Sequence, residues 1–80
     1  MKKVTIEYYA LLREERGISR ESIETAAATL RDLYEDLKKR YQFRLPVEQL
    51  RVAVNDEFVP WEKDVYAGDQ IVFIPPVAGG

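Results

Sequence analysis

Five apolar residues, Leu30, Leu33, Tyr34, Leu37 and Tyr41, recur at i, i+3, i+4, i+7 and i+11. They form one stripe along one helix. Elsewhere the apolar residues alternate with a period of two, the pattern of strands covered on one face. One stripe can bury one face of one sheet, so the chain is limited to a single sheet under one main helix. Its 80 residues leave room for one domain. The 46% of apolar and aromatic residues suffices for one modest core. A domain of this size buries only about 60% of the surface its unfolded chain exposes.

Local signals place the elements. Thr29 reads as the helix N-cap, with Asp32 three residues on in a weaker form of the capping box. Acidic residues lead the helix and Lys38-Lys39-Arg40 end it, which complements the helix dipole. Pro46 lies beyond the end. Residues 3–9 form a first strand with Val4, Ile6 and Tyr8 on one face. Residues 10–17 fit a helical turn and loop closed by Gly17, and 21–25 a short second strand with Ile23 facing in. After the helix come a strand over 50–54, a turn at Asn55-Asp56, and a short return over 57–59 that Pro60 stops. A second turn at Ala67-Gly68-Asp69 leads into a last strand over 70–74. This order predicts an α+β fold, the β-grasp of ubiquitin, with a mixed sheet over residues 1–76 and a flexible tail over 77–80.

Composition excludes several functions. Twelve Lys and Arg against 14 Asp and Glu give a net charge of -2, which argues against non-specific nucleic-acid binding. There is no Cys for a disulfide or thiolate metal site, and no His. The paired acids at Asp32 and Asp36 read as a solvated helix face, and no loop has ligand spacing, so no metal site is expected. Lys2 and Lys3 resemble the start of a signal peptide, but an alternating segment follows them and not an apolar core. No run approaches the ~20 apolar residues of a bilayer span. A cytoplasmic protein without membrane or nucleic-acid partners is expected.

The chain closes on Pro75-Pro76-Val77-Ala78-Gly79-Gly80. Two prolines end the last strand and hold the backbone extended. Val77 to Gly80, fully extended, would reach roughly 13 Å. One reading is a frayed terminus. The other is a carboxylate delivered through a narrow channel, since glycine threads where any Cβ would clash. That carboxylate is ionised at pH 7 and a poor electrophile, so it needs activation, ordinarily adenylation by ATP. The chain has no phosphate-binding glycine loop of its own, so a separate enzyme would use the ATP, and no cofactor is expected on this chain.

The residues that carry this chemistry also carry a resemblance. Ala10-Leu11-Leu12-Arg13-Glu14 with Gly17, then Val52-Ala53-Val54-Asn55, and above all the block from Gly68-Asp69 through Pro75-Pro76-Val77-Ala78-Gly79-Gly80 resemble the MoaD/ThiS family of ubiquitin-like sulfur carriers. The likeness spans essentially the whole chain. Pro-Pro-Val favours the molybdopterin branch over the thiamine carrier; Ala78 stands where Thr or Ser is common. The resemblance implies a carrier, not catalytic alone, whose Gly80 is adenylated and then converted to a thiocarboxylate, with Gly79 beside it. It implies three partners: the large subunit of molybdopterin synthase in a heterotetramer, a ubiquitin-activating-type adenylyltransferase, and a sulfur donor protein. Sulfur would pass to cyclic pyranopterin monophosphate. It further suggests that Arg13 contacts the large subunit or the activator; without it, Arg13 is an ordinary loop cation.

Parity adds a docking surface. Tyr9, Val72 and Ile74 point away from the helix, where a sheet face in water should be polar. Phe58 is expected to join them. Apolar residues clustered beside the tail mark a partner site, to which Pro75, Pro76, Val77 and Ala78 would add as the tail threads the partner. Trp61 could stack on a base, but reads better as packing. A protein modifier, a carrier for thiamine or tRNA thiolation, and a plain β-grasp interaction module remain alternatives.

Overall fold

A computed structural model describes residues 1–76. Five strands form one mixed sheet: β1 (Lys2–Tyr8), β2 (Arg20–Thr25), β3 (Arg51–Val54), β4 (Glu57–Val59) and β5 (Gln70–Ile74), in the order β2-β1-β5-β3-β4. β1 and β5 pair in parallel at the centre, and every other pairing is antiparallel. Alternation decides which face is covered. Val4, Ile6 and Tyr8 of β1, Val52 and Val54 of β3, and Ile71 and Phe73 of β5 are all buried under the main helix. That helix, α2 (Leu30–Tyr41), buries Leu30, Leu33, Tyr34 and Leu37, with Tyr41 half-buried at its end. Each such side chain stabilises the fold by roughly 1.5–3 kcal/mol through apolar area removed from water.

The capping signals hold. The Thr29 hydroxyl accepts from the Asp32 amide at 3.2 Å, and Gln42 closes α2 in the left-handed region at φ 57°. Trp61 packs: its ring stacks on Phe73 at 5.9 Å and lies 5.8 Å from Tyr34. The expected turn at Asn55-Asp56 is a two-residue hairpin loop with both φ positive, 52° and 72°, the geometry that matches strand twist. Gly68 turns at φ 88°. Asp69, buried, then accepts from the Tyr66 amide at 2.9 Å, while the Asn55 side chain accepts from the Gln70 amide at 3.1 Å. Asn55, which also donates its amide to the Gln70 carbonyl at 2.9 Å, therefore ties the start of β5 to the β3–β4 hairpin.

Three boundaries differ from the sequence reading. The first strand runs 2–8 and not 3–9, because Tyr9 leaves the ladder to precede a second helix, α1 (Ala10–Arg16), closed by Gly17 at φ 88°. β2 starts one residue early, at Arg20, opposite Glu7. The third strand begins at Arg51, not at 50, because the Leu50 amide donates to the Val47 carbonyl at 3.1 Å and closes a 3-10 turn over Val47–Gln49. The expected tail, 77–80, lies outside the described residues. No helix among the described residues is long and apolar enough to cross a membrane.

Candidate functional site

Pro75 and Pro76 end β5 because neither has an amide to continue the ladder. Pro75 is buried within the chain; Pro76 is exposed. Beside them lies a cleft of about 570 Å³. One wall is the β1–α1 segment, with Tyr9, Ala10, Leu11 and Glu14; the other is Ile74, Pro75 and Pro76, and Leu45 from the loop after α2 closes the space. The lining is apolar except for the Glu14 rim and the Tyr9 hydroxyl. Val77, Ala78, Gly79 and Gly80, the residues expected to react or thread, lie outside the described residues.

α1 owes its position to a partly buried ion pair. Arg16 donates to both oxygens of Glu21, at 2.9 and 2.8 Å, and the Tyr8 hydroxyl donates to the same carboxylate at 2.6 Å. The Arg16 guanidinium also lies 4.0 Å over the Tyr41 ring. One cation thus joins α1 to β2 and α2. Burial pushes the Glu21 carboxyl up, but the hydrogen bonds from Arg16 and Tyr8 outweigh it and hold the group below its ordinary value. The Tyr8 phenol is pushed well above its usual range, first by burial and then by Glu21.

The outer face is less polar than a solvated sheet requires. Glu7, Val72, Ala53 and Phe58 form one lateral row, because Glu7 pairs with Val72, Val72 with Ala53, and Ala53 with Phe58. In the next row Ile74 pairs with Arg51. Val72 and Ile74 are half-buried, whereas Tyr9 and Phe58 are 42% and 57% exposed. The Tyr9 hydroxyl donates to Glu7 at 2.7 Å, and that bond raises the phenol above its ordinary value. The Arg51 guanidinium stacks 3.9 Å over the Phe58 ring.

The structure therefore brings Tyr9, Ile74, Pro75 and Pro76 together around the cleft, and Val72 and Phe58 into the adjoining row. Arg13 stands apart, exposed on α1 and outside the cleft lining. The sequence reading missed Ala10, Leu11, Glu14 and Leu45 in the cleft and Ala53 and Arg51 on the face. Leu11 beside buried Leu12 was a usable signal for a helix apolar on two sides. Leu45, in a loop, had none. Among the described residues no group of three or more His, Cys, Asp or Glu could hold a metal. With neither Cys nor His in the chain, the arrangement supplies an apolar surface beside an exit, not an imidazole or thiol for catalysis.

Comparison with known proteins agrees with this geometry. The model described as ThiS family matches residues 6–80. The chain is 34% identical over 76 residues to the molybdopterin synthase sulfur carrier subunit of Haemophilus influenzae, covering 91% of this chain and 94% of that protein. It is 32% identical over the full length of both chains to the protein of the same description from Mycobacterium tuberculosis. Its fold is similar to that of a Pyrococcus furiosus protein assigned as molybdopterin converting factor subunit 1, with a TM-score of 0.78, 32% identity, and coverage of 96% of this chain and all of that one.

Proposed function

The chain belongs to the ThiS family, and on that premise we propose that it is the sulfur carrier subunit of a molybdopterin synthase, with the Gly80 carboxylate as its reactive group. The observation that carries this reading is the match to two sulfur carrier subunits over more than nine-tenths of both partners' lengths, within a family match that runs to residue 80.

The chemistry follows from what the chain has and lacks. Without a thiol, it has only the terminal acyl carbon on which to hold sulfur. A carboxylate oxygen of Gly80 attacks the α-phosphorus of ATP on an activating enzyme, pyrophosphate leaves, and an acyl-adenylate forms. A hydrosulfide equivalent from a donor protein attacks the acyl carbon, and the C–O bond to AMP breaks with its electron pair leaving on AMP. The product is a thiocarboxylate. In a complex with the large subunit, the thiocarboxylate sulfur attacks a carbon of cyclic pyranopterin monophosphate and displaces an oxygen substituent, and water then hydrolyses the resulting thioester, so that the sulfur stays on the pterin and Gly80 returns as a carboxylate. The fold's part is presentation. Pro75 anchors the exit, and the cleft and outer face provide the surface on which activator and large subunit dock in turn.

Deletion of Gly80, or Gly79→Val, tests the reading. Both variants are expected to melt within the range of surface substitutions, about 0.5 kcal/mol of the parent, and to transfer no sulfur. Sulfur transfer at the parent rate by the chain lacking Gly80 would overturn it.

A further inference from the structure

Arg51 is a cation set among the apolar residues of the β5–β3–β4 side of the outer face, while Arg20 lies at the β2 end of the same face, opposite Glu7. Arg51 pairs in register with Ile74, one row from Val72 and Ala53, and its guanidinium lies flat on the exposed Phe58 ring at 3.9 Å. Beside it is a hollow of about 390 Å³, lined by Arg51, Phe58, Val59, Pro60 and Trp61 among others. Arg16, Arg31, Arg40 and Arg44 each lie within 4.0 Å of a carboxylate. Among the described residues Arg13, Arg20 and Arg51 have no such partner, and of these three only Arg51 stacks on an aromatic ring.

Stacking occupies the flat side of a guanidinium and leaves its edge donors free and oriented. The long side chain is thereby ordered before any partner arrives. A partner that docks on Val72, Ile74 and Phe58 strips water from this cation, and a desolvated cation without an anion is costly. A carboxylate satisfies it best, since the free edge matches two carboxylate oxygens.

We propose that Arg51 is a specificity-determining residue of the docking face, and that it receives an Asp or Glu side chain of the large subunit, held beside an apolar contact on Ile74 and Phe58. The inference rests on the carrier reading above, since that reading supplies the partner.

Binding of the purified large subunit by calorimetry to the parent, Arg51→Met, Arg51→Lys, Arg51→Glu and Lys39→Glu tests it. The mass of each carrier after ATP-dependent activation is recorded alongside. Arg51→Met keeps the stem on Phe58 and loses the charge; it is expected to weaken binding roughly thirtyfold, as loss of a central anchor does. Arg51→Lys falls between it and the parent, because an ammonium cannot match two oxygens at once. Arg51→Glu is expected to be weaker again than Arg51→Met, as a second carboxylate is forced against the first. Lys39→Glu makes the same charge change on α2, which covers the opposite face of the sheet, and is expected to cost less than about threefold, an exposed and screened effect. Binding of Arg51→Glu as tight as that of Arg51→Met, or an equal loss in Lys39→Glu, overturns the inference. A parent chain that acquires no sulfur overturns the carrier reading instead. Should Arg51→Glu fail to fold, the comparison of Met with Lys still decides: equal affinities of both with the parent overturn it.

Discussion

Two residues decide local questions that composition leaves open. Glu21 shares the parity of Ile23 on β2, and it accepts from Arg16 twice and from Tyr8. Because its carboxyl is held below its ordinary value of 4.5 in the folded chain, its contribution is present above the unfolded pKa and lost as pH falls through the folded one. Glu21→Gln is therefore expected to cost about 2 kcal/mol at pH 7, the size of a charge-assisted bond. That cost should shrink in melts taken progressively below pH 4.5, where the parent loses the same charge. A cost that stays constant to the lowest pH would contradict it. Asp56 poses the opposite case. It holds φ 72° in the β3–β4 loop, where a residue with a Cβ is strained by about 1–2 kcal/mol. Glycine removes that strain but loses about 0.5–1 kcal/mol to chain entropy. Asp56→Gly is expected to stabilise the fold by about 0.5–1 kcal/mol, read from the urea midpoint; a lower midpoint would contradict it.

At the scale of elements, periodicity was informative where one face meets water and silent where contacts are long-range. The stripe of α2 and the alternation of β1 assigned Leu30, Leu33, Leu37, Val4, Ile6 and Tyr8 to the core, and all are buried. Parity also turned Val72 and Ile74 outward. It could not reveal that Arg51 sits on Phe58 or that Leu45 closes the cleft, because both depend on strand order and loop path, which no local pattern encodes. Nor could it separate Pro75, buried, from Pro76, exposed. The 3-10 turn at Val47–Gln49 carries no periodic signal, being three residues long. The docking role of this face is a claim about elements: β5 supplies Ile74 and the β1–α1 junction supplies Tyr9. Ile74→Ala and Tyr9→Ala are expected to weaken large-subunit binding roughly thirtyfold each. The loss should fall mainly in the off-rate, since side-chain truncation leaves long-range steering intact. Parent-like affinity in both would place recognition elsewhere.

For the whole molecule, the carrier function proposed above makes the chain a handle for one reactive terminus. A central parallel pair, β1 and β5, places the end of β5 beside α1, so the segment after Pro76 starts from the junction of the cleft and the apolar face. That arrangement suits a chain handled in turn by an activator and an acceptor, each needing surface next to the terminus. The fold class was legible from one stripe and the alternating strands. The proposed reaction is suggested only by the resemblance of the terminal block, since Gly-Gly by itself also fits a frayed end. The most direct test is the intact mass of the parent chain after incubation with its activating enzyme, ATP and a sulfur donor. The account predicts a gain equal to one oxygen exchanged for one sulfur, located at Gly80 by fragmentation and absent without ATP. An unchanged mass, or a Gly80 joined only to a lysine of another protein, would contradict it.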